Sequence, residues 1–263
     1  MDVIVFCGQS NMQGQSECLA NTTPVPGAYE YKFLGDTIVP LQNPVGEDIK
    51  SDFSEGYPFT KTTDQGAWVG DHIAGSACYG HDNLVPAFCD AYIASTKREV
   101  LAVHVAKGST EIAWWLPGGQ SYGLLVKKTN AAKKKVDANH VFFVWLQGES
   151  DAIDANTKSY YKNQLITLCE ALKKDIGIEK FGIIRVGRFT NDHRDDEIIA
   201  AQDEICAENT DFLMLTTMAT ELNKDPRYMN PFVKGHYSAK GLEILGVSSG
   251  KALGKFVAYL SML

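Results

Sequence analysis

Five short apolar runs, separated by amphipathic stretches, restrict the fold of this sequence more than any other feature. Each run is apolar on both faces, and the five are Asp2 to Cys7, Val100 to Ala106, His140 to Leu146, Phe181 to Gly187 and Asp211 to Thr216. Such runs are typical of parallel strands covered on both sides. Strands that alternate with helices form right-handed crossovers. We therefore predict an α/β fold, a three-layer α/β/α sandwich around a five-stranded parallel, doubly wound sheet.

The predicted helices lie between these runs and after the last of them. Four are "LVPAFCDAYIAST", "SYGLLVKKTNAAKKKV", "TKSYYKNQLITLCEALKKDIG" and "DDEIIAAQDEICAEN", and a fifth covers Ser238 to Leu260. The segment from Gln15 to about Asn83 has no strong period, so it is the expected place for loops that form a rim over the sheet edge. A length of 263 residues without an evident linker predicts one domain, residues 1–263.

The charge balance restricts the partners of the chain. The net charge is −7, whereas a nucleic acid or an anionic membrane surface requires a large basic face. We therefore expect no nucleic-acid and no membrane partner, and a small or neutral polymeric substrate. The only dense basic run, Lys127–Lys128 with Lys133–Lys135, lies at helical spacing and predicts a solvated helix face. The sequence does not indicate an oligomeric state.

Cysteine usage and the first residues favour a cytoplasmic chain. The six cysteines are scattered without a CxxC pair, which argues against zinc and against a disulfide scaffold. The start of the chain lacks the basic and apolar regions of a signal peptide, and no window reaches transmembrane length. A secreted form whose leader has been removed would look the same.

Polar residues follow the predicted strands at the edge where doubly wound sheets place their chemistry. Ser10 follows the first strand in "GQSNMQG", Gly108 the second in "KGSTEIAWW", and Gln147 the third in "WLQGESDA". The alternatives are that Ser10 or Asn11 is only a helix N-cap and that "GESD" is only a turn with a helix cap. A phosphate-binding loop is disfavoured, because the sequence lacks the Gly-Lys-Ser/Thr of that motif. His236 precedes the last helix in "KGHYSAKG". The other five histidines are expected to be structural or exposed: His72, His81, His104, His140 and His193.

These four blocks together resemble those of the SGNH hydrolase superfamily. The resemblance is to its sialate O-acetylesterase and acetylxylan-esterase-like branch of carbohydrate esterases, and "GQSNM" with "QGESD" are its most specific parts. Order and approximate spacing hold from Gly8 to about Gly241. The resemblance implies a flavodoxin-like SGNH fold and a serine carboxylic-ester hydrolase that needs neither a metal nor a cofactor.

The resemblance also implies residue roles. Ser10 is the implied nucleophile and His236 the base that takes its proton. The implied oxyanion hole consists of the backbone N–H groups of Ser10 and Gly108 and the side-chain amide of Gln147. Neighbouring polar residues of the same blocks are expected to support the site: Gln9, Asn11, Glu149 and Asp151.

One position departs from the pattern of the branch. Many relatives carry an aspartate three residues before the histidine, where this chain has Val233. Three explanations are open: a Ser–His dyad oriented by a backbone carbonyl, an acid from Asp225, Glu149 or Asp151, or an inactive relative. We favour the dyad.

The implied substrate is an acetyl ester on a carbohydrate, with sialic acid as the first choice. A sialate carboxylate would require a cation, and the candidates near strand ends or beside His236 are Lys107, Arg185, Arg188 and Lys234. Trp114, Trp115 and Tyr237 could stack on sugar rings or belong to the core. The alternatives are acetylxylan or another acetylated carbohydrate, or a non-catalytic carbohydrate-binding relative.

Overall fold

A seven-stranded, mostly parallel sheet forms the centre of the molecule. A computed structural model describes residues 1–18, 20–33, 35–46 and 82–260. The strand order is β3-β2-β4-β1-β5-β6-β7. The strands are β1 (Asp2–Gly8), β2 (Ala28–Lys32), β3 (Thr37–Pro40), β4 (Val100–Ala106), β5 (Val141–Leu146), β6 (Lys180–Ile184) and β7 (Phe212–Thr216).

All five predicted strands are present, as β1, β4, β5, β6 and β7. The fourth ends at Ile184 rather than Gly187, because the Val186 N–H donates to the side chain of Gln202 instead of to a neighbouring strand. The sheet has seven strands, two more than the five that we predicted. β2 is parallel to its neighbour β4, and β3 is antiparallel to β2. These two short strands extend the sheet on the β4 side.

Helices cover the sheet, and all five predicted helices are present. The longer ones are α2 (Val85–Thr96), α3 (Tyr122–Lys133), α5 (Lys158–Asp175), α6 (Asp195–Glu208) and α8 (Ala239–Leu260). The described residues also form shorter helices: α1 (Ser10–Gln13), α4 (Glu149–Ile153), α7 (Ala219–Leu222) and the 3-10 helices Ile112–Trp115 and Pro226–Tyr228. None of the described helices is long and apolar enough to cross a bilayer.

Close packing of α8 against α2 depends on glycine. A Cβ atom added at Gly246 would lie 2.4 Å from the carbonyl oxygen of Leu84, and one at Gly250 would lie 2.1 Å from that of Phe88. Only a residue without a side chain lets the two backbones approach so closely. Phe88 then reaches the sheet, where its ring meets Phe6 edge-on with centroids 5.0 Å apart.

The basic run on α3 is only in part the solvated face that we predicted. Lys128 is fully buried, and its positive charge acts on the buried carboxylate of Glu30 in β2. Burial raises the pKa of Glu30, and the charges of Lys32 and Lys128 oppose that rise. Lys135, by contrast, forms an exposed ion pair with Asp36.

The strand order determines where a site can form. From β1 the chain continues to β2, β3 and β4 on one side of β1, and then crosses to β5 on its other side, so the strand order reverses between β1 and β5. In such sheets a crevice opens beyond the carboxyl ends of the two strands at the reversal. Here those strands are β1 and β5, which are followed by Gln9–Asn11 and Gln147–Glu149.

Candidate active site

A sharp turn after β1 presents Ser10. A Cβ atom at Gly8 would lie only 2.0 Å from the carbonyl oxygen of Leu146 at the end of β5. Glycine is therefore required for the two strand ends to approach. The chain turns directly into α1, whose first residue is Ser10, and Met12 N and Gln13 N donate to the carbonyl of Gln9. The N–H of Ser10 precedes these first helical hydrogen bonds, as expected of an open donor at a helix start.

Ser10 and His236 line the same pocket, although they come from opposite ends of the described chain. Its volume is about 380 Å³. The walls contain residues of the first and third blocks, of the loop before α8, and of the segment after β4. They are Gln9, Ser10, Asn11, Gln15, Ser109, Glu149, Ser150, Ile153, Phe189, Val233, Lys234, Gly235 and His236.

The imidazole of His236 is oriented by a backbone carbonyl. Its Nδ1 lies 3.1 Å from the carbonyl oxygen of Lys234, so Nδ1 carries the proton and Nε2 is the basic nitrogen. Nε2 is buried and has no hydrogen-bond partner among the described residues. Burial lowers the pKa of His236, against the opposing effect of the Lys234 and Val233 carbonyls. The ring is therefore neutral at neutral pH, as a general base must be.

The carboxylates proposed to replace the missing aspartate have other partners. Asp225 forms an ion pair with Arg227 at 2.5 Å. Asp151 accepts from the Ile112 N–H at 2.9 Å, and burial raises the pKa of Asp151 to about 6. Glu149 lines the pocket but bonds to Asn11. The arrangement favours the Lys234 carbonyl over these three acids as the partner of Nδ1.

Asn11 connects three of the four blocks. Its Oδ1 accepts from the backbone N–H of Tyr237 at 3.2 Å. Its Nδ2 donates to Glu149 Oε1 at 2.8 Å and to the carbonyl of Gly235 at 3.3 Å. The side chain is almost fully buried, so these bonds hold the histidine loop against the serine turn.

Gln9 supports the turn from the other side. Its Oε1 accepts from the backbone N–H of Ser150 at 3.1 Å, one of the donors that the first turn of α4 leaves open. It also lies 3.3 Å from Nε2 of Gln147. Gln9 thus links the ends of β1 and β5.

Gln147 does not occupy the position that we predicted for an oxyanion donor. It is fully buried and does not line the pocket. Its Nε2 contacts Asp151 Oδ2 at 2.6 Å and the carbonyl of Thr110 at 2.8 Å. Since an amide nitrogen has two hydrogens, both are engaged. Gln147 and Asp151 therefore act from behind the site, where they hold the segment after β4.

Gly108 lies beside Ser10, but its N–H is occupied. A Cβ atom at Gly108 would lie 3.3 Å from the Cβ of Ser10, and its N–H donates to Gln13 Oε1 at 2.9 Å. An oxyanion can use this donor only after the Gln13 carboxamide moves away. Ser109, which we did not predict, lines the pocket with a positive φ of 59°. A non-glycine residue in this region is strained and often functional.

Of the four predicted carboxylate-binding cations, only Lys234 lines the pocket. Arg185 binds Asp203 at 2.8 Å, and Arg188 binds Asp196 at 2.7 Å. Lys107 is buried with Nζ 3.2 Å from the carbonyl of Gly108 and 4.7 Å from the centre of the Trp114 ring. Burial lowers the pKa of Lys107 to about 8. Ion pairing and burial thus explain why these three side chains are not at the site.

The aromatic side chain at the pocket is not one of those that we predicted to stack on sugar rings. Tyr237 is buried, with its hydroxyl 3.2 Å from Asn223 Oδ1, and Trp115 belongs to the core. Phe189 instead lines the pocket and packs edge-on against Tyr237, with ring centroids 5.7 Å apart. Together with the exposed Ile153 it forms an apolar wall. Neither residue could be predicted from the sequence, because Phe189 lies in a loop and Ile153 at a helix end, and neither belongs to a motif.

The remaining histidines give no second site within the described residues. His104 contacts the carbonyl of Met12 at 3.0 Å, and burial lowers the pKa of His104 to about 3. His140 pairs with Glu179 and His193 is exposed, whereas His72 and His81 lie outside the described residues. The described part of the chain contains no group of three or more His, Cys, Asp or Glu side chains arranged to hold a metal.

Known proteins share this architecture. A probable carbohydrate esterase of Arabidopsis thaliana is 30% identical over 100 residues, which are 38% of each protein. The crystal structure of a protein from the same plant has a TM-score of 0.61 at 18% identity and covers 99% of this chain and 98% of its own. The structure of NanS has a TM-score of 0.66 at 15% identity, with 100% and 98% coverage.

A carbohydrate acetylesterase from Xanthomonas citri has a TM-score of 0.53 at 14% identity and covers 96% of this chain and 56% of its own. At these identities the structures support the fold, which is the α/β fold that we predicted. The family model "Carbohydrate esterase, sialic acid-specific acetylesterase" matches residues 1–252. The chain therefore belongs to the sialic acid-specific acetylesterase family of carbohydrate esterases.

Proposed function

We propose that this protein is a serine carbohydrate O-acetylesterase with Ser10 as nucleophile and His236 as base. One observation carries the proposal: both residues line one pocket, with the Nδ1 of His236 bound by a carbonyl and its buried Nε2 without a partner among the described residues. Membership of a carbohydrate esterase family supports the same reaction class.

The proposed reaction proceeds through an acetyl-enzyme. His236 Nε2 takes the proton of Ser10 Oγ as Oγ attacks the acetyl carbonyl, and the tetrahedral intermediate carries a negative oxygen. The backbone N–H of Ser10 stabilises this oxygen, joined by that of Gly108 once the carboxamide of Gln13 has moved. Each such donor contributes a factor of about 10²–10³ to the rate. His236 then protonates the departing sugar oxygen, and a water activated by the same imidazole releases acetate.

Acetate release from an acetylated sugar tests this proposal. Ser10→Ala removes the nucleophile, so we expect activity to fall by at least about 10³-fold while the melting temperature stays close to that of the parent. Equal activity of variant and parent would show that Ser10 is not the nucleophile. A parent protein that binds sugar by calorimetry but releases no acetate would identify a non-catalytic relative.

O-acetylated sialic acid is the first proposed substrate. Lys234 lines the pocket and offers a cation for the carboxylate of a sialic acid, and the description of the family names the same sugar. Neutral acetylated sugars, including xylan, are the second candidate, since Arg185 and Arg188 are paired with Asp203 and Asp196.

A substitution of Lys234 distinguishes between the two proposed substrates. If Lys234 binds a carboxylate, Lys234→Gln should raise KM for O-acetylated sialic acid about tenfold and leave KM for acetylated xylo-oligosaccharide nearly unchanged. Lys240→Gln on α8, outside this pocket, is the control for the loss of one positive charge. Equal effects of Lys234→Gln on both substrates would show that Lys234 does not bind the carboxylate, and a clear preference of the parent for xylan would exclude the sialate assignment.

A further inference from the structure

Glu149 carries a buried oxygen for which the proposed mechanism has no use. It is the first residue of α4 and lines the pocket next to Ser10 and His236. One of its oxygens, Oε1, accepts from Asn11 Nδ2 at 2.8 Å. The other, Oε2, is buried and has no hydrogen-bond partner among the described residues. A buried polar atom without a protein partner belongs to a strained or catalytic site, or it bonds to a water molecule or another ligand.

The neighbouring backbone determines which oxygen of Glu149 can carry a proton. The N–H of Tyr237 can only donate, and it donates to Asn11 Oδ1. The Nδ2 group of Asn11 must therefore face Glu149, where it donates to Oε1. Oε1 acts as an acceptor, so a proton on the carboxyl group resides on Oε2.

The surroundings of Glu149 favour the protonated form of its carboxyl group. Burial raises the pKa of Glu149, the Asn11 side chain and the backbone N–H of Glu149 itself oppose the rise, and the charges of Asp195 and Asp151 add to it. The titratable and charged groups around it are Asp151 on α4, Asp195 on α6, Tyr161 on α5, and Lys234, His236 and Tyr237 in the loop before α8. A carboxyl group kept neutral by its site acts as a hydrogen-bond donor.

We propose that Glu149 binds the substrate as a neutral carboxylic acid whose Oε2–H donates to an oxygen of the acetylated sugar. This inference rests on the proposed function, because it concerns the ligand of the same pocket. It assigns to Glu149 a role different from that of a charged partner for His236. In that other role Glu149 would be ionised, and its negative charge would stabilise the imidazolium.

The pH dependence distinguishes the two roles. His236 must be neutral, so kcat/KM falls as the pH drops through the pKa of His236. Glu149 must be protonated, so KM rises as the pH increases through the raised pKa of Glu149. The product is a bell-shaped profile whose alkaline limb belongs to Glu149.

Two substitutions at this position test the proposal on acetate release. Glu149→Ala removes the donor, and we expect KM to rise about tenfold and the alkaline limb to disappear. Glu149→Gln keeps an acceptor for Asn11 and places an N–H donor where Oε2–H was. It should recover most of the loss of Glu149→Ala and also lack the alkaline limb. Asp154→Asn, an exposed acid at the end of α4, is the charge control and should retain that limb.

Loss of kcat in Glu149→Gln to the level of Glu149→Ala would overturn the proposal in favour of the charged role. Infrared difference spectra between the parent and Glu149→Gln give a readout that needs no turnover. We expect the C=O band of a protonated carboxyl at mildly acidic pH, lost as the pH rises. Its absence at every pH where the protein is folded would refute the neutral acid whether or not the protein is an esterase.

Discussion

The chemistry of His236 depends on two residues that precede it closely in the chain, Val233 and Lys234. The carbonyl of Lys234 binds Nδ1, which is the contact that an aspartate makes in many serine hydrolases. Val233 occupies the position of that aspartate and lines the pocket with its apolar side chain. A carbonyl fixes the tautomer without adding a negative charge, so the low pKa that burial gives His236 is retained.

This low pKa predicts the acid limb of the activity. The imidazole must be neutral to accept the Ser10 proton, so kcat/KM decreases as the pH falls through the pKa of His236. Because burial lowers that pKa, the midpoint should lie below the value of about 6.5 for a free imidazole. A pH–rate profile of acetate release measures it, and a midpoint at or above the free value contradicts the buried, carbonyl-bound base.

Placing an aspartate at position 233 tests whether the Nδ1 of His236 already has its partner. In Val233→Asp the new carboxylate would enter a pocket wall and compete with the Lys234 carbonyl, so we expect kcat not to rise. Val233→Asn has nearly the same shape without the charge and serves as the control. A gain in kcat of about tenfold or more for Val233→Asp alone would show that the carbonyl does not orient the ring.

Among the elements, α8 and α2 are the pair that most clearly depends on residue size. A Cβ atom at Gly250 would lie 2.1 Å from the Phe88 carbonyl oxygen, and backbone atoms cannot move aside as a flexible side chain can. Gly250→Ala should therefore lower the free energy of unfolding by roughly 1–3 kcal/mol, the usual cost of overpacking.

Gly123 on α3 is the matched control for that substitution. A Cβ atom there meets no atom within 4 Å, so Gly123→Ala should raise the free energy of unfolding by up to about 1 kcal/mol. Urea unfolding of the two variants gives both values. If Gly250→Ala is as stable as the parent, the helices are not packed as closely as described.

How far the elements could be predicted from sequence depended on the range of the interactions. The five buried strands and five long helices carry a local hydrophobic period, which a sequence displays directly. β2 and β3 are short strands at one side of the sheet, with β3 at its edge. The buried Glu30 of β2 is balanced in part by Lys128 from α3. Neither the pairing nor that charge balance leaves a local pattern.

How far the site could be predicted from the sequence also depended on the range of the interactions. The blocks around Ser10 and His236 could be recognised in the sequence, because they combine several unusual residues in a short stretch. The engagement of Arg185 by Asp203, of Gly108 by Gln13 and of Gln147 by Asp151 depends on the completed fold. These partners decide which polar groups face the pocket, so the oxyanion and substrate residues were the least predictable part.

At the scale of the whole molecule, one continuous sheet joins the described strands from β3 to β7. A single core on that sheet predicts that the chain unfolds as one unit. Equilibrium unfolding in urea, followed by far-ultraviolet circular dichroism and by tryptophan fluorescence, should give coincident transitions. Two separated transitions would show that part of the chain folds independently.

Covalent labelling with a serine-directed phosphonate tests the central claim most directly. The reagent phosphonylates a hydroxyl group only when a nearby base activates it. We predict one adduct per chain, located on Ser10 by peptide mass spectrometry, absent in Ser10→Ala and formed at least about 100-fold more slowly in His236→Ala. No adduct on the parent protein, or equal labelling of Ser10→Ala, would contradict the assignment of Ser10 as an activated nucleophile.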